Sequence, residues 1–272
     1  MDFATIGGLV VGVMVIGLVM ILDGGSPAEL FAVPQAILLI IGGSIAATTI
    51  TLPLDILKKL PKILQIAIKT SHFDTAGTLD VLVKMTDRAR REGLLALEEE
   101  SKSIKDPFMQ KAIMMVVDGV DPAQVRAIME TSIENMQERH KACYSFFTSA
   151  GGFAPTFGII GTVMGLISVL KQLDNPSQLA KSIASAFLAT LWGLMMANLV
   201  YLPLGGKLKT RDEEETAFRV MTMEGVLSLQ AGENPSILRE KLSAFLPPAV
   251  PAKDKAEKSE AHKAPQVAEQ KA

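Results

Sequence analysis

Cysteine and histidine are scarce in this sequence, which has one cysteine, Cys143, and three histidines, His72, His140 and His262. A single cysteine cannot form a disulfide within the chain. The histidines are scattered, and no Cys/His spacing suits a metal ion. The motifs of nucleophilic enzymes and of phosphate-binding loops are also missing. We therefore expect no enzyme activity, no metal site and no bound cofactor.

A strong excess of one charge is missing too, because the net charge at pH 7 is only -2. There is thus no electrostatic reason to expect binding to nucleic acid. The composition is 49% hydrophobic and 21% charged, with a mean hydropathy of +0.31. Such a chain is too apolar for an average soluble enzyme and too charged for a protein that lies wholly within a membrane. The charges must be segregated.

Charged side chains are absent from long apolar stretches of the sequence. A helix rises about 1.5 Å per residue, so about 20 residues cross the roughly 30 Å hydrocarbon core of a bilayer. Glycines within these stretches are typical of closely packed membrane helices. We predict an all-α integral membrane protein whose four spans lie at about 3–22, 33–54, 148–170 and 182–204.

The remaining segments are charged, and most have a helical, amphipathic pattern. Residues 55–141 predict a large cytoplasmic helical domain between spans two and three, in which Asp121 and Pro122 form a typical helix start. Residues 207–246 predict a cytoplasmic C-terminal helix. Residues 247–272 lack aromatic residues and an apolar period, which predicts a disordered tail. The two membrane hairpins are residues 1–54 and 142–206.

Lysine and arginine concentrate on one side of the predicted membrane. The loop between the first two spans has neither, and the loop between the last two has only Lys171 and Lys181 at its edges. The opposite ends of the spans carry Lys58, Lys59, Lys62, Arg139, Lys141, Lys207, Lys209 and Arg211. Basic residues favour the cytoplasmic side, so we expect both termini in the cytoplasm.

None of the four spans contains Asp, Glu, Lys, Arg or His, although ion pathways usually place an ionisable side chain inside the membrane. The spans carry hydroxyls instead, notably Thr162 and Thr190. Each threonine alone is typical of a hydroxyl bonded to a carbonyl of its own helix. Two of them on small-residue faces of neighbouring helices favour a lined path or a groove for a partner.

Glycines and prolines mark the third and fourth spans. Gly161 and Gly165 form a small-xxx-small pair, and Gly158 shares a helical face with Gly165, so we expect these three glycines to pack against another helix. Pro155 and Pro203 lie in the cytoplasmic halves of the two spans. Each frees backbone groups and can kink its helix, either as a packing kink or as a flexing hinge.

A basic block precedes an acidic block between Arg88 and Glu100 in the cytoplasmic domain, and Gly93 separates them. Such a pattern is usually a solvated surface with internal ion pairs, each worth about 0 to 1 kcal/mol. The separation of the charges by sign also favours docking onto a partner.

Several blocks, in order from Met1 to about Leu246, resemble the MotA/PomA family of bacterial flagellar stator subunits. They include Arg90-Arg-Glu-Gly-Leu-Leu-Ala-Leu-Glu98-Glu99, Phe108-Met-Gln-Lys111, Val117-Asp-Gly119, Glu138-Arg-His140, Ala154-Pro155, Gly158-Ile-Ile-Gly161-Thr162, Leu188-Ala-Thr-Leu-Trp-Gly193 and Met223-Glu-Gly-Val-Leu-Ser-Leu-Gln-Ala-Gly232. No single block is specific, but their order makes the resemblance strong.

The resemblance implies an ion-conducting homopentamer in the bacterial inner membrane around a dimer of a MotB/PomB-like partner, whose span supplies an aspartate. Flow of protons or sodium ions would turn the ring, and the cytoplasmic domain would drive the rotor protein FliG. By position, the implied rotor contacts are Arg90, Glu98 and Glu99, the ion-path residues are Thr162 and Thr190, and the torque-coupling hinges are Pro155 and Pro203.

Threonine at positions 162 and 190 resembles the sodium-driven branch, but some proton-driven members look similar there, so both ions stay open. The closest alternative is a TolQ/ExbB-like envelope energiser. Those proteins typically have three spans, and the initial hairpin here argues against that reading. A non-energised scaffold or passive channel subunit is the alternative from another class.

Overall fold

The computed structural model describes residues 3–69, 73–171 and 176–246, and the predicted tail at 247–272 lies outside them. Within these ranges the chain is helical and contains no β-strand. The α-helices are α1 (Phe3–Leu22), α2 (Pro34–Thr51), α3 (Leu54–Ile68), α4 (Thr75–Glu92), α5 (Glu98–Ser101), α6 (Pro107–Val117), α7 (Pro122–Leu170), α8 (Pro176–Met195), α9 (Leu202–Gln230) and α10 (Pro235–Ser243). Short 3-10 helices occur at Pro27–Ala32 and Leu94–Leu97, and a π-helical turn at Met196–Tyr201.

Four helices in the described ranges are long and apolar enough to cross a membrane. They are Thr5–Leu22 within α1, Pro34–Thr51, Pro122–Leu170 and the continuous helix Gln178–Gln230. The prediction of an all-α integral membrane protein is therefore confirmed.

The third and fourth spans belong to helices much longer than a bilayer requires. Helix α7 has 49 residues, a length of about 74 Å at 1.5 Å per residue. It begins as predicted, because Asp121 Oδ1 accepts a hydrogen bond from the backbone N–H of Ala123 at 2.9 Å. Residues 123–150 contain neither glycine nor proline to stop it. The segment boundaries drawn at 141/142 and 206/207 therefore fall inside continuous helices.

The C-terminal segment, expected as one helix, is two. Helix α9 ends at Gln230, Gly232 adopts a φ of +68°, and α10 begins at Pro235. The side chain of Asn234 caps α10 by accepting the backbone N–H of Ser236 at 2.9 Å. Glycine after a helix end, followed by an N-cap and a proline, is the usual pattern of a stop and a new start. This signal was present in the sequence.

The chain folds as two compact units, and the first consists of residues 1–73 and 127–219. Its buried core includes Ile40 of the second span, Phe146 and Ala154 of α7, and Tyr201 of the π-turn. By contrast, no residue of α1 between Thr5 and Leu22 is buried. The unit thus gathers the last three spans around a shared core.

The second unit consists of residues 74–126 and 220–272. Leu82 of α4 and Leu242 of α10 are fully buried in it. A Cβ atom added to Gly225 of α9 would lie 2.6 Å from the Leu82 side chain and 3.2 Å from that of Leu242. This glycine therefore lets α4 and α10 pack closely on α9.

Candidate functional site

The third and fourth spans pack face to face through small residues. A Cβ atom added to Gly158 would lie 3.2 Å from the carbonyl oxygen of Ala189, and one added to Gly193 would lie 2.8 Å from that of Ala154. These neighbours are backbone atoms, which cannot move aside as the end of a flexible side chain can. A larger residue at either position would force the two helices apart.

The other two glycines expected at a helix contact face the same neighbour. A Cβ atom added to Gly161 would lie 2.9 Å from the Cβ of Ala189, and one added to Gly165 would lie 2.7 Å from the Cβ of Ala186. Gly158, Gly161 and Gly165 therefore all face α8. This close approach follows from the absence of side-chain volume along one face of α7.

Thr162 and Thr190 lie in this interface, and their hydroxyls hydrogen-bond to each other. Thr162 Oγ1 is also 3.1 Å from the carbonyl oxygen of Gly158 in its own helix and 3.1 Å from that of Ala186 in α8. A threonine hydroxyl has only one hydrogen to donate, so these oxygens compete for it. The structure thus brings the two threonines into one oxygen cluster in which acceptors outnumber hydroxyl hydrogens.

The small residues on the same face of the fourth span as Thr190 are buried. They are Ala186, Gly193 and Ala197. Thr162 and Thr190 themselves are only half-buried. The small residues therefore allow close packing, while the two hydroxyls stay partly exposed.

The two prolines sit in different surroundings. Helix α7 continues unbroken through Pro155, which lacks the N–H that would bond to the carbonyl of Gly151. Pro203 is the second residue of α9, and only Leu202 separates it from the π-turn at Met196–Tyr201. Such turns within α-helices frequently occur at functional sites. The sequence analysis missed the π-turn, because a proline alone does not reveal which helical pattern precedes it.

Tyr201, the last residue of the π-turn, connects the fourth span to the second. Its hydroxyl lies 3.2 Å from Ser44 Oγ in a buried contact. Ser44 Oγ also donates to the carbonyl of Ile41 at 3.2 Å, and the Thr48 hydroxyl donates to the Ser44 carbonyl at 2.7 Å. Sequence reasoning missed this contact, since the residues are 157 positions apart and carry no charge.

In the second unit, the charged block extends from the end of α4 into the start of α5. Arg90 lies in the last turn of α4, Gly93 follows with a φ of +86°, and Glu98 and Glu99 open α5. A positive φ favours glycine, so Gly93 allows the turn that separates the two blocks. Leu95 lies between the blocks with 74% of its surface exposed. We call Arg90, Leu95, Glu98 and Glu99 the charged edge.

Most charges next to the charged edge are paired inside the unit. Arg88 contacts Glu92 at 3.0 Å and Glu100 at 3.3 Å, and Arg91 contacts Asp87 at 2.9 Å. The hydrogen bond to Glu92 is the largest cause that raises the pKa of Arg88 above its ordinary value. These residues form the internal ion pairs that the charge pattern predicts.

The residues of the charged edge itself make fewer ion pairs within the unit. Glu98 contacts Lys102 at 3.6 Å, but neither Arg90 nor Glu99 makes an ion pair with any residue in the described ranges. All members of the edge are exposed. Sequence reasoning missed Leu95, because Leu94, Leu95 and Leu97 form one apolar run and only the fold separates the exposed leucine from the buried Leu97.

Known proteins match this architecture over most of its length. The model of the MotA/TolQ/ExbB proton channel family matches residues 100–221, and that of the motility protein A N-terminal region matches residues 5–93. Motility protein A of Borreliella burgdorferi is 38% identical over 214 residues, which are 79% of this chain and 82% of that protein. The chain belongs to the MotA/TolQ/ExbB proton channel family. Its N-terminal match places it with the motility proteins of this family.

Two further relatives agree with this membership of the MotA/TolQ/ExbB family. Chemotaxis protein PomA of Vibrio alginolyticus is 36% identical over 246 residues, or 90% of this chain and 96% of that protein. The structure of the flagellar MotAB stator complex from Bacillus subtilis contains a chain with a TM-score of 0.85 and 33% identity, covering 97% of this chain and 100% of that one. The expected function is confirmed: this chain is a flagellar stator subunit.

Proposed function

We propose that this stator subunit lines the ion path of the motor and that a MotB/PomB-like partner supplies the ionisable group. The observation that carries the proposal is the oxygen cluster of Thr162 and Thr190, in spans without Asp, Glu, Lys, Arg or His. Hydroxyl and carbonyl oxygens can line a path, but they do not bind and release a proton at cellular pH. The titratable carboxylate must therefore come from another chain.

A partner carboxyl group suits the excess of acceptors in this cluster. When protonated, its O–H donates to one of the competing oxygens, either a hydroxyl or a carbonyl. When deprotonated, it accepts a hydrogen bond from a hydroxyl instead, and such charge-assisted bonds are strong. Rotation of two hydroxyls thus adapts the site to both states of the partner. A sodium ion could be coordinated by the same oxygens.

The proposed assembly is a pentamer of this chain around a dimer of the partner in the inner membrane, with both termini in the cytoplasm. The Bacillus subtilis relative is part of a MotAB complex, which supports a partner of the MotB type. The cytoplasmic side follows from the basic residues at the ends of the spans. The translocated ion is a proton or sodium.

Ion flow has enough energy to turn such a ring. One elementary charge that moves through 100 mV releases roughly 2.3 kcal/mol. Neighbouring positions in a symmetric ring are nearly equivalent, so a bias of this size shifts their populations about 50-fold. Pro155 and the region of the π-turn before Pro203 are the proposed points where α7 and the fourth span flex.

The charged edge is the proposed contact to the rotor protein FliG. Arg90 and Glu99 offer opposite charges without partners in the described chain, and the exposed Leu95 adds apolar area between them. Complementary charges set orientation and register more than affinity. This is the property that repeated short contacts with a moving rotor require.

Swimming speed in a host without stators tests the ion path. The chain is coexpressed with its candidate partner while sodium is varied at fixed pH. A speed that rises with sodium supports the proposal with sodium as the ion. A speed that does not change with sodium but falls when the proton gradient collapses supports the proposal with protons as the ion. No rotation from an inserted complex would reject the proposal and favour an envelope energiser.

Charge reversal tests the rotor contact. We expect Arg90→Glu combined with Glu98→Lys to reduce torque at least about tenfold, because each reversed charge repels its partner. Membrane insertion should be unchanged, since the surface ion pair of Glu98 contributes only about 0 to 1 kcal/mol. Torque is measured on tethered cells.

The matched control reverses a nearby pair that is already satisfied within the unit, by Arg91→Glu with Asp87→Lys. That variant should keep normal torque. Equal loss in both double variants, or normal torque in the first, would reject the charged edge as the rotor contact.

A further inference from the structure

Helix α3 lies next to the end of the second span. Only Leu52 and Pro53 separate it from the end of α2 at Thr51, and both have extended backbone angles. The chain therefore changes direction between α2 and α3. Because so few residues intervene, α3 starts at the membrane surface.

The core contacts of α3 place it at the same level as two other spans. Its Ile63 and Ile66 line a cavity together with Cys143 of α7 and Leu208 of α9. The guanidinium of Arg211, also in α9, donates a hydrogen bond to the carbonyl of Ile66. Cys143 precedes the predicted third span at 148, and Leu208 and Arg211 follow the predicted fourth span, which ends at 204. Helix α3 thus packs where α7 and α9 leave the predicted membrane segments.

Two lysines lie on the face of α3 turned away from its buried Ile56 and Ile63. They are Lys58 and Lys62, one helical turn apart. Lys59 lies beside Lys62 at the edge of the buried face, three residues after Ile56 and four before Ile63, and all three lysines are exposed. We call them the lysine face. Lys59 and Lys62 make no ion pair with any residue that the structure describes. The sole acidic residue of α3 is Asp55, near its start.

An apolar side chain adjoins the lysine face. Ile66 is exposed and lies one helical turn after Lys62. Leu64 of the same helix is also exposed, on the other side of the buried face. An amphipathic helix with lysines beside exposed apolar residues is typical of a helix that lies in the membrane interface. Lysine there extends its ammonium group towards the headgroups while its methylenes stay among apolar groups.

We infer that the lysine face of α3 binds the headgroups of anionic phospholipids. Three closely spaced ammonium groups at a membrane surface match the charge of phosphate diesters. A lysine near an anionic surface strengthens association about fivefold, and the effect falls within a Debye length. Bound lipid would hold α3 at the surface beside the ends of three spans. Such lipid binding depends neither on the identity of the translocated ion nor on contact with a rotor.

Lipid selectivity of the full chain tests this inference. The protein is reconstituted in phosphatidylcholine vesicles with a trace of spin-labelled phosphatidylglycerol or spin-labelled phosphatidylcholine. The immobilised fraction of each label is measured by electron paramagnetic resonance at low and high salt. We expect a preference for phosphatidylglycerol that weakens at high salt. Lys58→Gln/Lys59→Gln/Lys62→Gln should lower this preference at least about threefold.

The matched control removes the same charge from exposed lysines of the second unit, by Lys84→Gln/Lys105→Gln/Lys111→Gln. It should keep the preference of the wild type, as should Lys58→Arg/Lys59→Arg/Lys62→Arg. If the triple glutamine variant does not insert, Lys59→Gln/Lys62→Gln should lower the preference in its place. No preference in the wild type, an unchanged preference in the glutamine variants, or equal loss in the control would overturn the inference.

Discussion

The first span and the fourth span are both apolar enough to cross a membrane, but they relate to the rest of the chain in opposite ways. No residue of α1 from 5 to 22 is buried, whereas the less apolar fourth span contains buried residues such as Ala189, Gly193 and Ala197. The more apolar helix is thus the less packed. Hydropathy places a helix in the bilayer but does not decide which helix it touches.

Small residues explain the difference. Lipid tails are as apolar as leucine, so membrane helices associate through close packing and hydrogen bonds rather than through the hydrophobic effect. A Cβ atom added to Gly7 or Gly8 of α1 would meet nothing within 4 Å, while one added to Gly158 would meet the backbone of α8. Glycines of the same chain therefore have different roles, depending on what lies opposite.

The largest effect should come from adding volume to this packed interface. We expect Gly158→Leu to lower the free energy of unfolding by at least about 3 kcal/mol, because its side chain would collide with backbone atoms of α8. The measurement is thermal unfolding of the detergent-purified chain, followed by size-exclusion chromatography.

Gly8→Leu in α1 is the matched control and should leave the unfolding midpoint nearly unchanged. An unchanged midpoint in Gly158→Leu would contradict the packing of α7 on α8. A large loss in Gly8→Leu would show that α1 packs against another copy of the chain, and the comparison between the spans would then hold only within one subunit.

A change at the Thr162–Thr190 hydroxyl pair should cost less stability, but it should clearly reduce motility. Thr190→Val keeps the shape of the side chain but removes one hydrogen bond of the oxygen cluster, which costs about 1 kcal/mol in stability. We expect swimming speed to fall at least about tenfold if the cluster lines the ion path. Swimming speed and membrane abundance are measured together.

Thr156→Val provides the control on the same helix as Thr162. The Thr156 hydroxyl is exposed and donates only to the carbonyl of Phe153, at 2.7 Å. That variant should swim normally. Loss of assembly rather than of rotation in Thr190→Val would favour the passive scaffold, in which these hydroxyls serve packing alone.

The smallest effect should come from the contact between the fourth span and the second. Tyr201→Phe removes the hydrogen bond to Ser44, and we expect a loss of about 1 kcal/mol in the free energy of unfolding. The cost stays low because Ser44 keeps the carbonyl of Ile41 as a partner. Tyr144→Phe, at the other tyrosine of the chain, should be neutral in the same thermal unfolding experiment. Equal midpoints for both variants would show that the Tyr201 contact does not stabilise the chain.

Much of the fold was predictable because uncharged runs and helix caps are local features. The start of α7 at Asp121 and Pro122 followed from residue types alone. The break at Gly232 was equally visible in Gly-Glu-Asn-Pro, but the segment was predicted as one helix. The unbroken passage of α7 from the charged region into the third span was not expected. Charge does not mark a helix boundary here, because residues 123–150 contain neither glycine nor proline to interrupt α7.

The candidate site was predictable in its residues but not in its contacts. Thr162 and Thr190 stood out because hydroxyls are notable in uncharged spans. Their mutual hydrogen bond depends on how α7 and α8 are rotated about their axes. Likewise, the charge pattern predicted internal ion pairs, but it could not separate the paired Arg91 from Arg90, which has no ion pair in the described chain.

The sequence by itself determined that this chain is a helical membrane protein, which segments cross the bilayer and which family it belongs to. These properties depend on residue type and on short-range spacing, which hydrocarbon and water select directly. Only the tertiary structure decided which glycines touch a neighbouring helix, where the π-turn lies and which charges stay open to a partner. Those outcomes depend on distances between residues far apart in the chain, and such distances exist only once the helices have packed.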